Sequence, residues 1–197
     1  MSTDEEMVFQ DTGGSDANPP PLIYPDIVQS IALFLVNKVN WHDIKFRTTR
    51  NPKTKFTWLF PPQITIDNYL AHMMWYIDTP PGVVVCMLVY LEKILSKLEE
   101  KYNCQFRTNI PYLMTSYNAH KLMLTAFLLA HKYCDDHRVS TTKVAKIGGI
   151  EPKELKELEV EFLKFVKYEL YVSEDTFKSY YNAAMKYGIE IATQNKA

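Results

Sequence analysis

Leu122-Met-Leu-Thr-Ala-Phe-Leu-Leu-Ala130 is apolar nearly all the way round. A helix with that pattern has no wide solvent face and is buried on several sides. Ala126 and Ala130 lie four residues apart, on one face, and their small side chains let another helix approach closely. The stretch reads as the centre of a long helix between Met114 and Asp135, and that helix as the middle of a bundle.

The neighbouring segments supply the rest of such a bundle. Upstream, Val84, Leu88, Leu91, Leu95 and Leu98 make a stripe at helical spacing, in a helix expected to end near Glu100 and to be followed by a connection over 101–113. Before it, Ile66, Leu70, Met73 and Ile77 share a face of a helix over 63–78, broken by Thr79-Pro80-Pro81-Gly82. Asp26 is a good N-cap for a first helix carrying Ile27, Ile31, Phe34 and Leu35. Downstream, Ser140 or Thr141 caps a short helix that stops at Gly148-Gly149. Pro152 suits the first turn of the next helix, whose inner face is Leu155, Leu158, Phe162, Phe165 and Val166. Ser173 caps the last helix, with Phe177, Tyr181 and Ala184 expected to face inward. No strand-like alternation persists. The expected fold is all-α, with about seven helices in one domain.

Of the 11 prolines, nine precede residue 82, so the later helices run through nearly proline-free sequence. The six glycines, at 13, 14, 82, 148, 149 and 188, cannot spell a phosphate-cradling loop or a dinucleotide-binding turn. Hydrophobic residues make 47% of the chain and charged residues 23%, ordinary values for a globular domain. A net charge of −1 argues against a dedicated nucleic-acid binder. Residues 1–25 read as a disordered acidic tail, because residues 1–37 carry acids but no Lys or Arg. Residues 26–187 read as the domain and 188–197 as a C-terminal tail. Within the domain, 41–62 is a basic and aromatic loop, in which Trp41, Phe46, Phe56, Trp58 and Phe60 pin a solvated basic chain to the body. Cys86, Cys104 and Cys134 form no C-x-x-C pair, which suggests reduced thiols and an intracellular protein, in nucleus or cytoplasm. No signal peptide is visible in the acidic stretch from Met1 to Asn18, and apolar runs such as Ile31 to Val36 are too short to span a bilayer.

His131, Cys134, Asp135, Asp136 and His137 are all metal-ligand types, but helix geometry does not gather them, so neither a metal site nor a thiol nucleophile is expected there. Lys132 and Glu159 stand apart from this cluster. Each lies at the edge of an apolar helical face. They read either as solvated rim charges or as parts of one docking surface, a Lys donating to carbonyls and a Glu accepting from N–H groups of a partner.

The segment from His120 to Asp136, H-K-L-M-L-T-A-F-L-L-A-H-K-Y-C-D-D, resembles the third helix of a cyclin box, in the form found in P/U-type cyclins. Further matches follow in order: Ile64-Thr-Ile-Asp-Asn-Tyr-Leu70, Val89-Tyr-Leu-Glu-Lys-Ile94, Ala145-Lys-Ile-Gly-Gly-Ile150, Leu158-Glu-Val-Glu-Phe-Leu163, and Tyr171-Val-Ser with Thr176-Phe177. The resemblance implies a single cyclin box of five helices with flanking N- and C-terminal helices. It implies no catalysis; no cofactor, small-molecule substrate or membrane is expected, and the charge balance disfavours nucleic acid as a partner. It implies a non-catalytic regulatory subunit that binds and allosterically activates a cyclin-dependent protein serine/threonine kinase. The alternative is a cyclin-fold adaptor or scaffold that binds transcription machinery, or a kinase, without activating it. By the same resemblance Lys132 and Glu159 grip the kinase's regulatory helix and the segment before it, and Tyr133, Leu163 and Leu170 pack on that helix. Several positions depart from the group's pattern: His131 replaces a small Ser and is expected to make the kinase-facing edge bulkier, Lys121 and Glu92-Lys93 replace Arg and Asp-Arg, and His72 stands where Arg is frequent. No M-R-A-I-L motif is present, so recruitment through the substrate groove of mitotic cyclins is not implied.

Overall fold

α4, Ala119–Cys134, is the helix on which four of the others pack, and every residue from Ala119 to His131 is buried. The computed structural model describes residues 26–45, 53–106 and 112–194. The remaining helices are α1 (Asp26–Lys45), α2 (Ile66–Tyr76), α3 (Pro81–Phe106), α5 (Thr141–Ile147), α6 (Pro152–Phe165) and α7 (Glu174–Gln194). Helices α2 to α6 form a five-helix unit, and α1 and α7 pack on each other and on α3 at its flank. No strand occurs among the described residues, and none of their helices is long and apolar enough to cross a membrane.

The core follows the sequence pattern closely. Val84, Leu88, Leu91, Leu95 and Leu98 of α3 are all buried, as are Leu155, Leu158, Phe162 and Val166 along α6. The predicted caps form too. Ser140 Oγ accepts from Lys143 N at 3.1 Å, Ser173 Oγ accepts from Thr176 N at 3.2 Å, and Pro152 opens α6. At the end of α5, Gly149 takes the left-handed conformation with φ 70. Gly148 lies so close to buried Leu124 that an added Cβ would fall 2.3 Å from its Cδ2.

Four boundaries and one inward face differ from the sequence reading, each for an identifiable reason. α4 begins at Ala119 and not near Met114, because side chains capture the preceding backbone: Thr115 N donates to Asn118 Oδ1 at 2.9 Å and Ser116 N to Asp43 Oδ1 at 3.2 Å. α3 continues to Phe106, past the expected end near Glu100, and a Lys97–Glu100 ion pair at 2.8 Å supports the added turn. α1 runs to Lys45, into the expected loop, because its polar end is held from outside: Asn37 Nδ2 donates to the Tyr187 hydroxyl at 2.9 Å, and His42 Nδ1 donates to the Met114 carbonyl at 3.0 Å. α7 extends to Gln194, so residues 188–194 are helix and not tail. In α7 Ala184 is buried as expected, but Tyr181 is exposed and Tyr180 turns inward in its place. The acidic tail, residues 46–52 of the loop and residues 195–197 lie outside the described residues.

Of the loop aromatics, Phe56 is fully buried, meeting Phe162 edge-on with centroids 6.2 Å apart, and Trp58 is half-buried. Trp41 and Phe60, two of the four described aromatics, are exposed and not buried anchors, and Phe46 lies outside the described residues. Trp58 forms one wall around Lys121. The Lys121 ammonium sits 3.9 Å from the Trp58 ring centre and 2.7 Å from Glu154 Oε1, which accounts for a lysine buried in α4.

His120, also buried on α4, donates from Nε2 to the Ile64 carbonyl at 2.8 Å. Burial lowers its pKa below the ordinary 6.5, and burial likewise lowers those of His42 and His72. The folded state therefore binds fewer protons than the unfolded chain just below pH 6.5, and stability falls as pH drops through that window. The melting temperature is expected to be level above about pH 7 and to decline below 6.5. His120→Gln keeps a donor for the Ile64 carbonyl and is expected to flatten part of that decline. An unchanged slope in melts taken across pH 5 to 8 contradicts the assignment.

Candidate functional site

Lys132 occupies the last turn of α4 and Glu159 the middle of α6, and the fold brings them together. Lys132 Nζ donates to both carboxylate oxygens of Glu159, at 2.7 and 2.9 Å. Their side chains are 37% and 16% exposed, so the pair is open on one side. An ion pair of this exposure contributes about 0.5 kcal/mol, little enough for a partner to open it. The position also suits a cation, because the last turn of a helix carries partial negative charge.

Apolar and aromatic residues follow both members of the pair along the chain. Tyr133 follows Lys132 and is 51% exposed. Leu163 lies one turn beyond Glu159 on α6, half-buried against the core, as is Leu170 in the segment that follows. That segment is fastened from below by α3. The Tyr90 hydroxyl donates to the Leu170 carbonyl at 2.6 Å, and Lys93 Nζ donates to the Glu169 and Tyr171 carbonyls at 3.4 and 3.2 Å. Tyr90 and Lys93 belong to α3, which packs along both α4 and α6, so the segment after α6 is tied to the helix that packs on both carriers of the pair. Lys93, a departure from the usual Arg, thus acts through carbonyls and needs no forked geometry.

Two side chains that sequence reasoning missed extend the surface. Tyr168 and Tyr171 are 65% and 71% exposed on either side of Leu170. Lys167 and Tyr168 both take left-handed backbone, with φ 53 and 60, which turns the chain sharply after α6. No glycine marks that turn, so the sequence carries no signal for it. Nothing in the periodicity of α6 separates these tyrosines from core aromatics.

The cluster of potential metal ligands resolves into a helix terminus. Asp135 N closes α4 on the His131 carbonyl, and the Asp135 carboxylate accepts from His137 N at 2.9 Å and Nδ1 at 3.1 Å. The His137 backbone N–H, foremost among its partners, holds the Asp135 pKa below the carboxylate range. His131 is buried, with its ring against Phe127 and Nε2 3.5 Å from Asp135 Oδ2. Its bulk goes inward, so the exposed edge is not bulkier than a serine would leave it. Among the described residues no three His, Cys, Asp or Glu side chains converge as a metal site.

A family model described as Cyclin matches residues 42–170 of this chain. The chain belongs to the cyclin family. Cyclin-U2-2 of Arabidopsis thaliana is 33% identical over 119 residues, 60% of this cyclin and 47% of that protein. Cyclin-U4-1 of the same plant is 32% identical over 131 residues, 66% of this chain and 59% of the relative. PHO85 cyclin-7 of Saccharomyces cerevisiae is 30% identical over 129 residues, 64% of this chain and 44% of the relative. These relatives place the cyclin in the P/U group, and it spans about half of their length. The matched region takes in α2 to α6, including α4 and α6, which carry Lys132 and Glu159.

Proposed function

We propose that this cyclin is a non-catalytic regulatory subunit that binds a cyclin-dependent protein kinase and activates it allosterically. The observation that carries the reading is the meeting of Lys132 and Glu159 from two helices, with exposed Tyr133 next to Lys132 in sequence and half-buried Leu163 one turn past Glu159. A cation and a carboxylate side by side match the backbone carbonyls and N–H groups at the end of a partner helix, and the apolar residues match its face. The weak Lys132–Glu159 pair opens at small cost when those partner groups arrive. The similarity to PHO85 cyclin-7 adds support for a kinase partner.

Activation follows if the face fits the kinase's regulatory helix better in its active position than in its inactive one. To carry a kinase from one active molecule in a hundred to ninety-nine requires about 5.5 kcal/mol of such preference. Several buried apolar contacts reach that size and one exposed ion pair does not. Tyr133, Leu163 and Leu170 therefore supply most of the drive, while Lys132 and Glu159 fix register.

Capture from cell lysate tests the proposal. Immobilised protein is expected to retain protein-kinase activity. Absence of kinase from a lysate shown to contain cyclin-dependent kinases counts against the proposal and favours an adaptor role.

A further inference from the structure

α1, α3 and α7 leave a groove of about 380 Å³ between them, a volume in the range of ligand pockets. Leu88, Leu91 and Leu95 of α3, Phe34 of α1, Ala183 of α7 and Met114 line it, so its surface is largely apolar. Two charged side chains also reach it, Lys38 and Glu92. The Glu92 carboxylate is engaged, accepting from the Tyr180 hydroxyl. The Lys38 ammonium sits 5.4 Å from the Phe34 ring centre, and no carboxylate among the described residues pairs with it. The charge left to attract an occupant is therefore positive. We propose that this groove is the seat of the chain's own N-terminal segment, with Met7-Val8-Phe9 in the groove and Asp4-Glu5-Glu6 beside Lys38.

Composition selects that occupant. Of the segments outside the described residues, 46–52 carries Arg47 and Arg50, 107–111 carries Arg107 and 195–197 carries Lys196, and none of the three holds an acid. Only 1–25 is acidic, with Asp4, Glu5, Glu6, Asp11 and Asp16 and no basic residue. Within it, Met7-Val8-Phe9 follows three consecutive acids, which brings apolar side chains for the groove and carboxylates for Lys38 in one short stretch. Taking the three apolar side chains out of water supplies most of the drive. The pairing of an open lysine with a carboxylate adds little energy and fixes direction.

The chain is long enough to reach. α1 starts at Asp26, and Phe34 and Lys38 lie about 12 and 18 Å along it. Residues 10–25 can span up to about 50 Å, so Met7-Val8-Phe9 can return along α1 to the groove. The other apolar triplet, Leu22-Ile23-Tyr24, follows prolines and not acids, and its tether to Asp26 reaches about 14 Å at most, short of Lys38. Tethering gives the nearer end of the segment a local concentration on the order of 1 mM, so a sequence that binds weakly as a free peptide still fills the groove. The groove shares no residue with the Lys132 and Glu159 site, and the proposal does not depend on the kinase reading.

Carbodiimide coupling of dilute full-length protein, which joins carboxylates directly to amines they touch, tests the seat. Cleavage at the remaining acidic residues and mass spectrometry map the joined peptides. The expected product links Asp4, Glu5 or Glu6 to Lys38. Met7→Asp/Phe9→Asp alters only the segment outside the helices and is expected to lower that yield about five-fold. The variant adds carboxylates, so attraction by charge alone would raise the yield. No Lys38 product where other lysines couple, or a yield that holds or rises in the variant, overturns the proposal. With ¹³C on the methionine methyl groups, the Met114 signal is expected to shift between wild type and variant, and an unmoved signal overturns the seating of the triplet beside it. Coupling of an equal mixture of ¹⁴N and ¹⁵N protein is expected to give products of a single isotope. Mixed products at the statistical share mean that a second copy supplies the segment, which overturns the proposal as stated.

Discussion

The exchange variant Lys132→Glu/Glu159→Lys is expected to fold as the wild type does and to lose kinase capture by at least ten-fold. The exchange keeps an ion pair between the last turn of α4 and the middle of α6, where the native pair spans 2.7 Å. Its intramolecular cost is that of an acid in place of a cation at a helix C-terminus, about 0.5 kcal/mol. Against a partner both signs are wrong. A carboxylate meets carbonyl oxygens, an ammonium meets N–H groups, and each leaves the partner's group desolvated and unpaired, at about 2 kcal/mol apiece. Melting temperature checks the fold, and kinase assay of captured material checks the face. Single reversals are less informative, because Lys132→Glu sets two carboxylates against each other within the cyclin. If the exchange variant captures as much kinase as the wild type, the docking face lies elsewhere on the molecule.

Phe162→Ala is expected to remove about 3–5 kcal/mol of folding stability. The ring is fully buried on α6 and meets Phe56 edge-on, so truncation leaves a cavity between α6 and the loop segment that Phe56 anchors. Other members of α6's inner face, Leu155 and Leu158, are also buried and cannot leave their own contacts to fill it. Domains of this size have about 5–15 kcal/mol in all, so the variant stands near the edge of folding. Urea titration measures the loss. A value below about 1 kcal/mol contradicts the packing described for α6. Phe162→Leu keeps most of the volume and is expected to cost less than half as much.

Periodicity carried the parts of the fold that are buried on one definite face. The stripe Val84 to Leu98, the all-round apolar centre of α4 and the capped starts of α5 and α7 could be placed from residues alone. What escaped depends on contacts from distant sequence. Gly188 looks like a helix end, yet α7 runs through it to Gln194. Its missing side chain lets α1 approach, since a Cβ there would fall 2.0 Å from Ser30 Oγ. The polar end of α1 is held by Tyr187 and Met114, far along the chain. Lys132 and Glu159 were readable as a pair only through resemblance, because helical spacing says nothing about which turn of α4 faces which turn of α6. The sharp turn at Lys167 and Tyr168 had no sequence signal at all.

Activation, as distinct from binding, is decided by titrating a purified kinase partner with this cyclin. The kinase recovered in the capture experiment would be prepared free of its cyclin, and phosphate transfer to a peptide substrate measured against added wild-type protein and the exchange variant. A saturable rise of at least ten-fold is expected with the wild type and none with the variant. Saturable binding of the wild type with no change in phosphate transfer would contradict activation and leave a scaffold in place of an activator.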